Sequence, residues 1–153
     1  MVKAEQGTLR RILLGLCCGD SARADDLAQD TLLRAYVAAD SFSGSTRFRA
    51  WLLRIAYNCF IDNLRRLGPP KISIENREAS AVHSDSLPDV RYEYQELYDA
   101  LSRLPEKERS AIVLKYFEDL PVKEIAAVLK IPSGTVKYYL SIGRKHLKQH
   151  LSL

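Results

Sequence analysis

From Gly68 to about Tyr92 the apolar periodicity that organises the rest of the chain is missing. Gly68-Pro69-Pro70 opens the stretch, the residues after it mix Pro, Ser, Asp and Glu, and a second break falls from Ser84 to Pro88. Pro lacks the backbone N–H that a helix or strand ladder needs, and Gly costs either element conformational entropy, so no regular element is expected to run through. On both sides helix formers dominate and no period-two alternation persists, which excludes a sheet. The expected architecture is all-α: two small helical domains, residues 1–67 and 93–153, joined by a flexible linker at 68–92.

In the first block the pattern predicts a short helix near Thr8 to Cys18, a turn at Gly19-Asp20-Ser21, a helix from about Ala22 to Ala39, a loop at Asp40 to Thr46, and a long helix from about Arg47 to Arg66. In the long helix Phe48, Leu52, Ile55 and Cys59 recur at i, i+4, i+7 and i+11, which aligns them on one buried stripe. Trp51, beside that stripe, is expected in the core. Arg47, Arg54, Asn58 and Arg65 project roughly opposite. Such a face is either a solvated surface or a set of phosphate-contacting arginines around a base-reading amide.

The second block begins with amphipathic stretches from Glu93 to Leu104 and Glu106 to Phe117. It continues into Val122-Lys-Glu-Ile-Ala-Ala-Val-Leu-Lys-Ile-Pro-Ser-Gly-Thr-Val-Lys-Tyr-Tyr-Leu, which has helix-turn-helix spacing. Ile125 and Leu129 face inward, Ala126 is small where two helices cross, Ile131 plugs the turn, and Val136 and Leu140 anchor the second helix. Ser133 after Pro132 is expected to cap that helix. With Val136, Leu140, Gly143 and Leu147 inward, Ser133, Thr135, Lys137, Tyr138, Ser141, Arg144, Lys145 and Lys148 are left to face a partner.

Charge distribution indicates that this end of the chain faces an anion. Lys and Arg outnumber Asp and Glu only by 23 to 19, but no acidic residue occurs from Ile125 to Leu153. An acid-free basic helix suits phosphates, with its N-terminal residues at base edges in a major groove. A helical hairpin packing on another protein would not need to exclude acids. The linker, some 25 residues at about 3.3 Å each, stretches on the order of 80 Å, more than two turns of B-DNA at about 34 Å. Contact with two separated DNA sites is within its reach.

Other clusters have simpler explanations. Cys17, Cys18 and Cys59 fit no CxxC or zinc spacing and are expected to be free, buried thiols. His146 and His150 have the i, i+4 spacing of a metal pair but no third ligand, so a solvated helix end is expected and no metal. Asp25, Asp26 and Asp30 lie in the opening turns of a helix, where negative charge is favourable. No phosphate loop, nucleophile elbow or ligand cluster appears, so neither an enzyme nor a cofactor is expected. The apolar stretches are short and broken by charge, and no signal-peptide core begins the chain, which points to the cytoplasm without membrane insertion.

Two sets of residues carry a family resemblance. Ala24-Asp-Asp-Leu-Ala-Gln-Asp-Thr31, then Phe48-Arg-Ala-Trp-Leu-Leu-Arg-Ile-Ala-Tyr-Asn58, Asp62 and Arg65-Arg66 resemble region 2 of bacterial sigma factors of the extracytoplasmic-function (ECF) group of the sigma-70 family. Leu104-Pro105 through Ser133-Gly-Thr-Val-Lys137 resembles their region 4. The resemblance implies that Asp26, Leu27, Gln29, Asp30 and Arg34 dock on the clamp helices of core RNA polymerase. It implies minus-10 DNA contacts from Asp40, Ser41, Phe42, Ser43, Arg47, Arg54, Asn58, Asp62, Arg65 and Arg66, with a flipped base accepted at the Asp40 to Thr46 loop. The outward residues of the helix-turn-helix would then bind the minus-35 element as duplex. Implied partners are core RNA polymerase, through its clamp helices and flap, promoter DNA and a cognate anti-sigma factor; no small-molecule substrate is implied. Two features depart from the family pattern. The first helix looks shortened, and Lys130 stands where Gly is frequent, so it must adopt a left-handed conformation or the turn must differ. A conventional helix-turn-helix regulator would need only the second block and would dimerise on a palindrome, and an anti-sigma or adaptor protein would bind polymerase without reading DNA.

Overall fold

The computed structural model describes residues 2–42, 47–69 and 88–151, with side chains described for 5–42, 47–69 and 94–151. Seven α-helices occur among the described residues and no strand: α1 Val2–Leu16, α2 Ser21–Val37, α3 Phe48–Leu67, α4 Pro88–Ser102, α5 Glu106–Glu118, α6 Val122–Leu129 and α7 Ser133–His150, with a 3-10 turn at Ala39–Ser41. Most of the expected linker lies outside the described residues, and α4 begins inside its expected C-terminal end. The first helix is not short: α1 holds 15 residues.

Local chemistry sets the helix ends. Asp20 caps α2, its carboxylate accepting the backbone N–H of Arg23 at 3.1 Å, so the helix starts one residue before the expected Ala22. The three helices after α4 start alike: Pro105, Pro121 and Pro132 precede α5, α6 and α7, all with extended ψ near 150° and none with a side-chain cap. Ser133 is therefore the first residue of α7 and not its cap. Proline fixes φ at a value compatible with the start of a helix, and its missing N–H leaves no orphan donor there. The residue before each proline is apolar, and in Leu120-Pro121 and Ile131-Pro132 the matching position in the first turn is Ile125 and Val136, the pattern of a hydrophobic staple. At the other ends Asp119 (φ 50°) and Lys130 (φ 57°) take the left-handed conformation that closes α5 and α6. Lys130 thus makes the turn that Gly more often makes, at the strain cost of a Cβ in that region.

Burial adjusts the expected faces. In α3, Leu52 and Cys59 are buried as expected, but Phe48 and Ile55 are half-buried, and Leu53, Ala56 and Phe60 supply the rest of the core. The helix packs on α1, α2 and α6, and a helix covered from several sides buries a wider arc than one stripe. Trp51 is not part of the main core. It is half-buried and meets Phe42 and Phe48 in a separate three-ring cluster with centroids 5.2–5.7 Å apart. Cys17, Cys18 and Cys59 are free and buried as expected.

The two blocks lie against each other. One hydrophobic cluster takes in Leu9, Ile12, Leu13 and Leu16 of α1, Leu53 and Phe60 of α3, and Ile112, Leu114, Ile125 and Val136 of the second block. Gly15, within α1, explains how closely they approach. A Cβ there would stand 2.8 Å from Val113 Cγ1 and 2.9 Å from Phe117 Cε2 of α5. Glycine costs a helix interior about 0.5–1 kcal/mol relative to alanine, so the contact it permits is what offsets that cost.

Candidate nucleic-acid interface

α7 is held as a platform by its inward side. Val136, Leu140 and Gly143 are buried and Leu147 packs on the core. A Cβ on Gly143 would stand 3.1 Å from Ile112 Cγ1, so the glycine sets how closely α7 can lie on α5. His146, expected at a solvated end, instead places Nδ1 2.5 Å from Oε1 of the buried Glu108. That carboxylate would otherwise be a desolvated charge, and the imidazole supplies its partner. Among the described residues no group of three His, Cys, Asp or Glu could hold a metal ion.

The outward side of α7 matches the expected set. Lys137, Tyr138, Ser141, Arg144, Lys145 and Lys148 are exposed, while Ser133 and Thr135 are half-buried at the N-terminal end. Arg144 is steadied by Tyr116 of α5, whose hydroxyl accepts its guanidinium N–H at 2.8 Å. Reading the sequence by helical faces alone missed this tyrosine, because it sits 28 residues upstream on another helix. A helix with six exposed polar or basic side chains, its N-terminus open and no acid along it, can insert in a major groove and face phosphates on both sides.

The first block arranges its candidates differently. On α2, Asp26, Gln29, Asp30 and Arg34 are exposed, but Leu27 is in the core at 2% exposure. Leu27 can support the expected docking face from beneath and cannot form it. Leu33, Tyr36 and Val37 are exposed large apolar residues that continue the same outward face, with Asp26, Asp30, Leu33 and Val37 spaced i, i+4, i+7 and i+11. Their apolar character at exposed helical positions was a signal available in the sequence.

Asp40 and Ser41 are exposed in the 3-10 turn, the Ser41 hydroxyl donating to Ala38 O at 2.6 Å, and Phe42 joins the aromatic cluster. Ser43 lies outside the described residues. Arg47, Arg54, Arg65 and Arg66 are exposed and Asn58 is half-buried, and the i, i+4, i+11 spacing of Arg54, Asn58 and Arg65 puts those three on one side of α3. Two of the set are already paired. Asp62 accepts from Arg34 at 3.1 Å, joining the two expected surfaces of the block, and this pairing raises the Arg34 pKa. Arg47 pairs with Glu124 of α6, in the other block.

Comparison with known proteins follows the same division. The family described as Sigma-70 region 2 matches residues 1–69, and Sigma-70, region 4, matches 94–147. The ECF RNA polymerase sigma factor SigW of Bacillus subtilis is 36% identical over 87% of this chain and 78% of its own. EcfG of Rhodopseudomonas palustris is 31% identical over 92% and 77%. Two solved structures share the fold: the sigma factor RpoE with the anti-sigma factor NepR from Bartonella quintana (TM-score 0.78, 27% identity, 99% of this chain and 94% of that one) and CnrH with the cytosolic domain of CnrY (TM-score 0.74, 26% identity, 99% and 84%).

Proposed function

Because this chain belongs to the ECF group of the sigma-70 family, we propose that it binds core RNA polymerase and directs it to promoters carrying minus-10 and minus-35 elements. Sigma factors are non-enzymatic transcription initiation factors, and this one works by binding alone. The observation that carries the reading is the outer face of α7, exposed and basic, on a helix-turn-helix whose inward residues are all committed to packing. That face reads duplex DNA: Thr135, Lys137 and Tyr138 near the helix start reach base edges, and Arg144, Lys145 and Lys148 meet phosphates.

The first block supplies the other two contacts. Asp26, Gln29, Asp30 and Arg34, extended by Leu33, Tyr36 and Val37, dock on the polymerase clamp helices. Arg47, Arg54, Asn58, Asp62, Arg65 and Arg66 line the minus-10 side, beside the loop that takes an unstacked base. Holding an extruded base offsets the few kcal/mol of unstacking, so the promoter is opened without hydrolysis of a nucleotide. Among the described residues no helix is long and apolar enough to cross a membrane, and the chain acts in the cytoplasm where its template is. An anti-sigma factor, of the kind bound to the sigma factor RpoE of Bartonella quintana, is the partner that would restrain it.

The test is run-off transcription by purified core polymerase on a library of promoter fragments, with and without the chain. Discrete transcripts that need the chain are expected. Binding of DNA by the chain with no transcript from core enzyme would instead identify a conventional helix-turn-helix regulator.

A further inference from the structure

Tyr116 stands outside the helix-turn-helix, near the end of α5, and is 53% exposed. A phenol oxygen accepts through its lone pairs and donates one proton. Here it accepts an N–H of Arg144 at 2.8 Å, which leaves that proton to give, and no acceptor takes it among the described residues. Arg144 is exposed as well. A guanidinium carries five N–H donors in a planar fork, and this one has committed a single donor to the phenol. Two helices thus bring a hydroxyl donor and a cationic donor to the same point of the surface.

That point lies on one edge of α7. Lys137, Arg144 and Lys148 are exposed and spaced i, i+7 and i+11, so they form a row along the helix. The contact with Tyr116 marks this row as the one beside α5. Tyr138 and Lys145, exposed with the same i, i+7 spacing, run one residue further round, about 100° away. A helix in a major groove has a sugar–phosphate strand on each side. With Tyr138 at the base edges, the row holding Arg144 faces the strand on the α5 side, and Tyr116 reaches toward that same strand.

The acids nearby do not oppose an anion there. Glu118 is two positions past Tyr116, on the opposite side of α5, where it pairs with Arg11. Asp119 has Lys115 3.7 Å away as an i, i+4 partner. Among the described residues neither Tyr116 nor Arg144 has a carboxylate partner.

Resting on the proposed reading of α7 as the duplex-binding helix, we propose that Tyr116 and Arg144 form a clamp for one backbone phosphate of the upstream element. The Tyr116 O–H and an Arg144 N–H donate to the non-bridging oxygens, and the hydrogen bond from Arg144 to Tyr116 closes the ring. Donation from a guanidinium polarises the phenol and strengthens its own O–H as a donor toward the anion. Tyr116 adds no charge. Its contribution is directional: from a second helix it sets the depth and rotation of α7 in the groove without reading a base.

Duplexes enriched by the full chain from a random-sequence pool are the probe, and Kd is measured for the unsubstituted chain, Tyr116→Phe, Arg144→Ala and the double variant. Tyr116→Phe keeps the ring and removes only the hydroxyl. It is expected to weaken all enriched sequences alike, about three- to tenfold, with an unchanged salt slope. Arg144→Ala is expected to lower that slope by about one unit. Because both residues act on one phosphate, the double variant should lose clearly less than the two single losses combined. Among duplexes carrying a single neutral methylphosphonate, one position should weaken the unsubstituted chain and leave the double variant unaffected. Fully additive losses, no loss from Tyr116→Phe, or a Tyr116→Phe variant that reorders the preferred sequences would each overturn the clamp while leaving α7 as the duplex reader. A pool from which the full chain enriches no duplex would remove the reading of α7 and the clamp with it.

Discussion

α7 and α3 both present basic residues outward, yet the first is free for a partner and the second is partly engaged. On the outward side of α7 Arg144 has Tyr116 as a side-chain partner, which orients it without neutralising it. Beside α3, Arg47 is neutralised by Glu124 and Asp62 by Arg34. The head proposed to read duplex is preorganised, whereas the head proposed to open DNA is held by its own neighbours. Binding energy is spent differently in the two cases: at α7 it accumulates directly, and at α3 it must first replace contacts already made.

The largest effect should come from the core that joins the two regions. Leu13 is fully buried in the shared cluster, and Leu13→Ala is expected to cost about 2–5 kcal/mol. Thermal melting should show one cooperative transition shifted as a whole. A variant in which the second block melts unchanged while the first is lost would show that the two regions are coupled more weakly than their packing implies.

A smaller effect separates readout from anchoring on α7. Lys137→Ala and Tyr138→Ala should each cost about 1–3 kcal/mol on preferred upstream sequences and change which bases are preferred. Lys145→Ala should weaken all sequences nearly alike and reduce the salt slope by about one unit. Binding to duplexes substituted one base at a time, at several salt concentrations, distinguishes them. If Lys145→Ala reorders the preferences while the other two leave them untouched, α7 enters the groove in a different orientation.

How far the sequence disclosed this depended on the range of the interaction. The helix-turn-helix was legible because its determinants are local: Ile125, Leu129, Val136 and Leu140 are all buried at the expected spacing, and Lys130 has the left-handed turn conformation. The outward sides of α3 and α7 were legible for the same reason. What joins Arg11 to Glu118, Tyr57 to Glu106 or Glu108 to His146 spans 107, 49 or 38 residues, and no periodicity encodes such pairs. Leu27 illustrates a limit of motif matching: it stands within the family's docking segment, but its i, i+4 and i+8 spacing with Thr31 and Ala35 puts it on the packed side of α2. Trp51 shows the reverse, an apolar residue placed next to a core stripe that instead joins Phe42 and Phe48 outside the main core.

The smallest effect again divides the regions, because all three cysteines belong to the first. Burial pushes the Cys17 thiol from the ordinary 9.0 up to about 12, and raises Cys18 and Cys59 for the same reason. A raised folded-state value means the native thiol stays protonated while the unfolded one ionises. The stability it contributes is complete below pH 9 and is lost progressively from pH 9 toward 12. Between pH 9 and 10 the Cys17 part amounts to about 1 kcal/mol at most. Denaturant titrations of Cys17→Ala should therefore show a shallower alkaline loss than the unsubstituted chain; identical slopes would mean that Cys17 ionises in the folded protein as readily as in the unfolded one.

Under the proposed function, two heads on one chain, each reading its own element, make initiation depend on the distance and rotational phase between the elements. The direct measurement takes a promoter that responds to the chain and inserts five base pairs, about half a helical turn, between its upstream and downstream elements. Run-off transcription by core polymerase with the chain should fall sharply, and duplex binding at the isolated upstream element should stay the same. Transcription unaffected by the insertion would contradict the two-headed account, because it would mean that one element alone directs the enzyme.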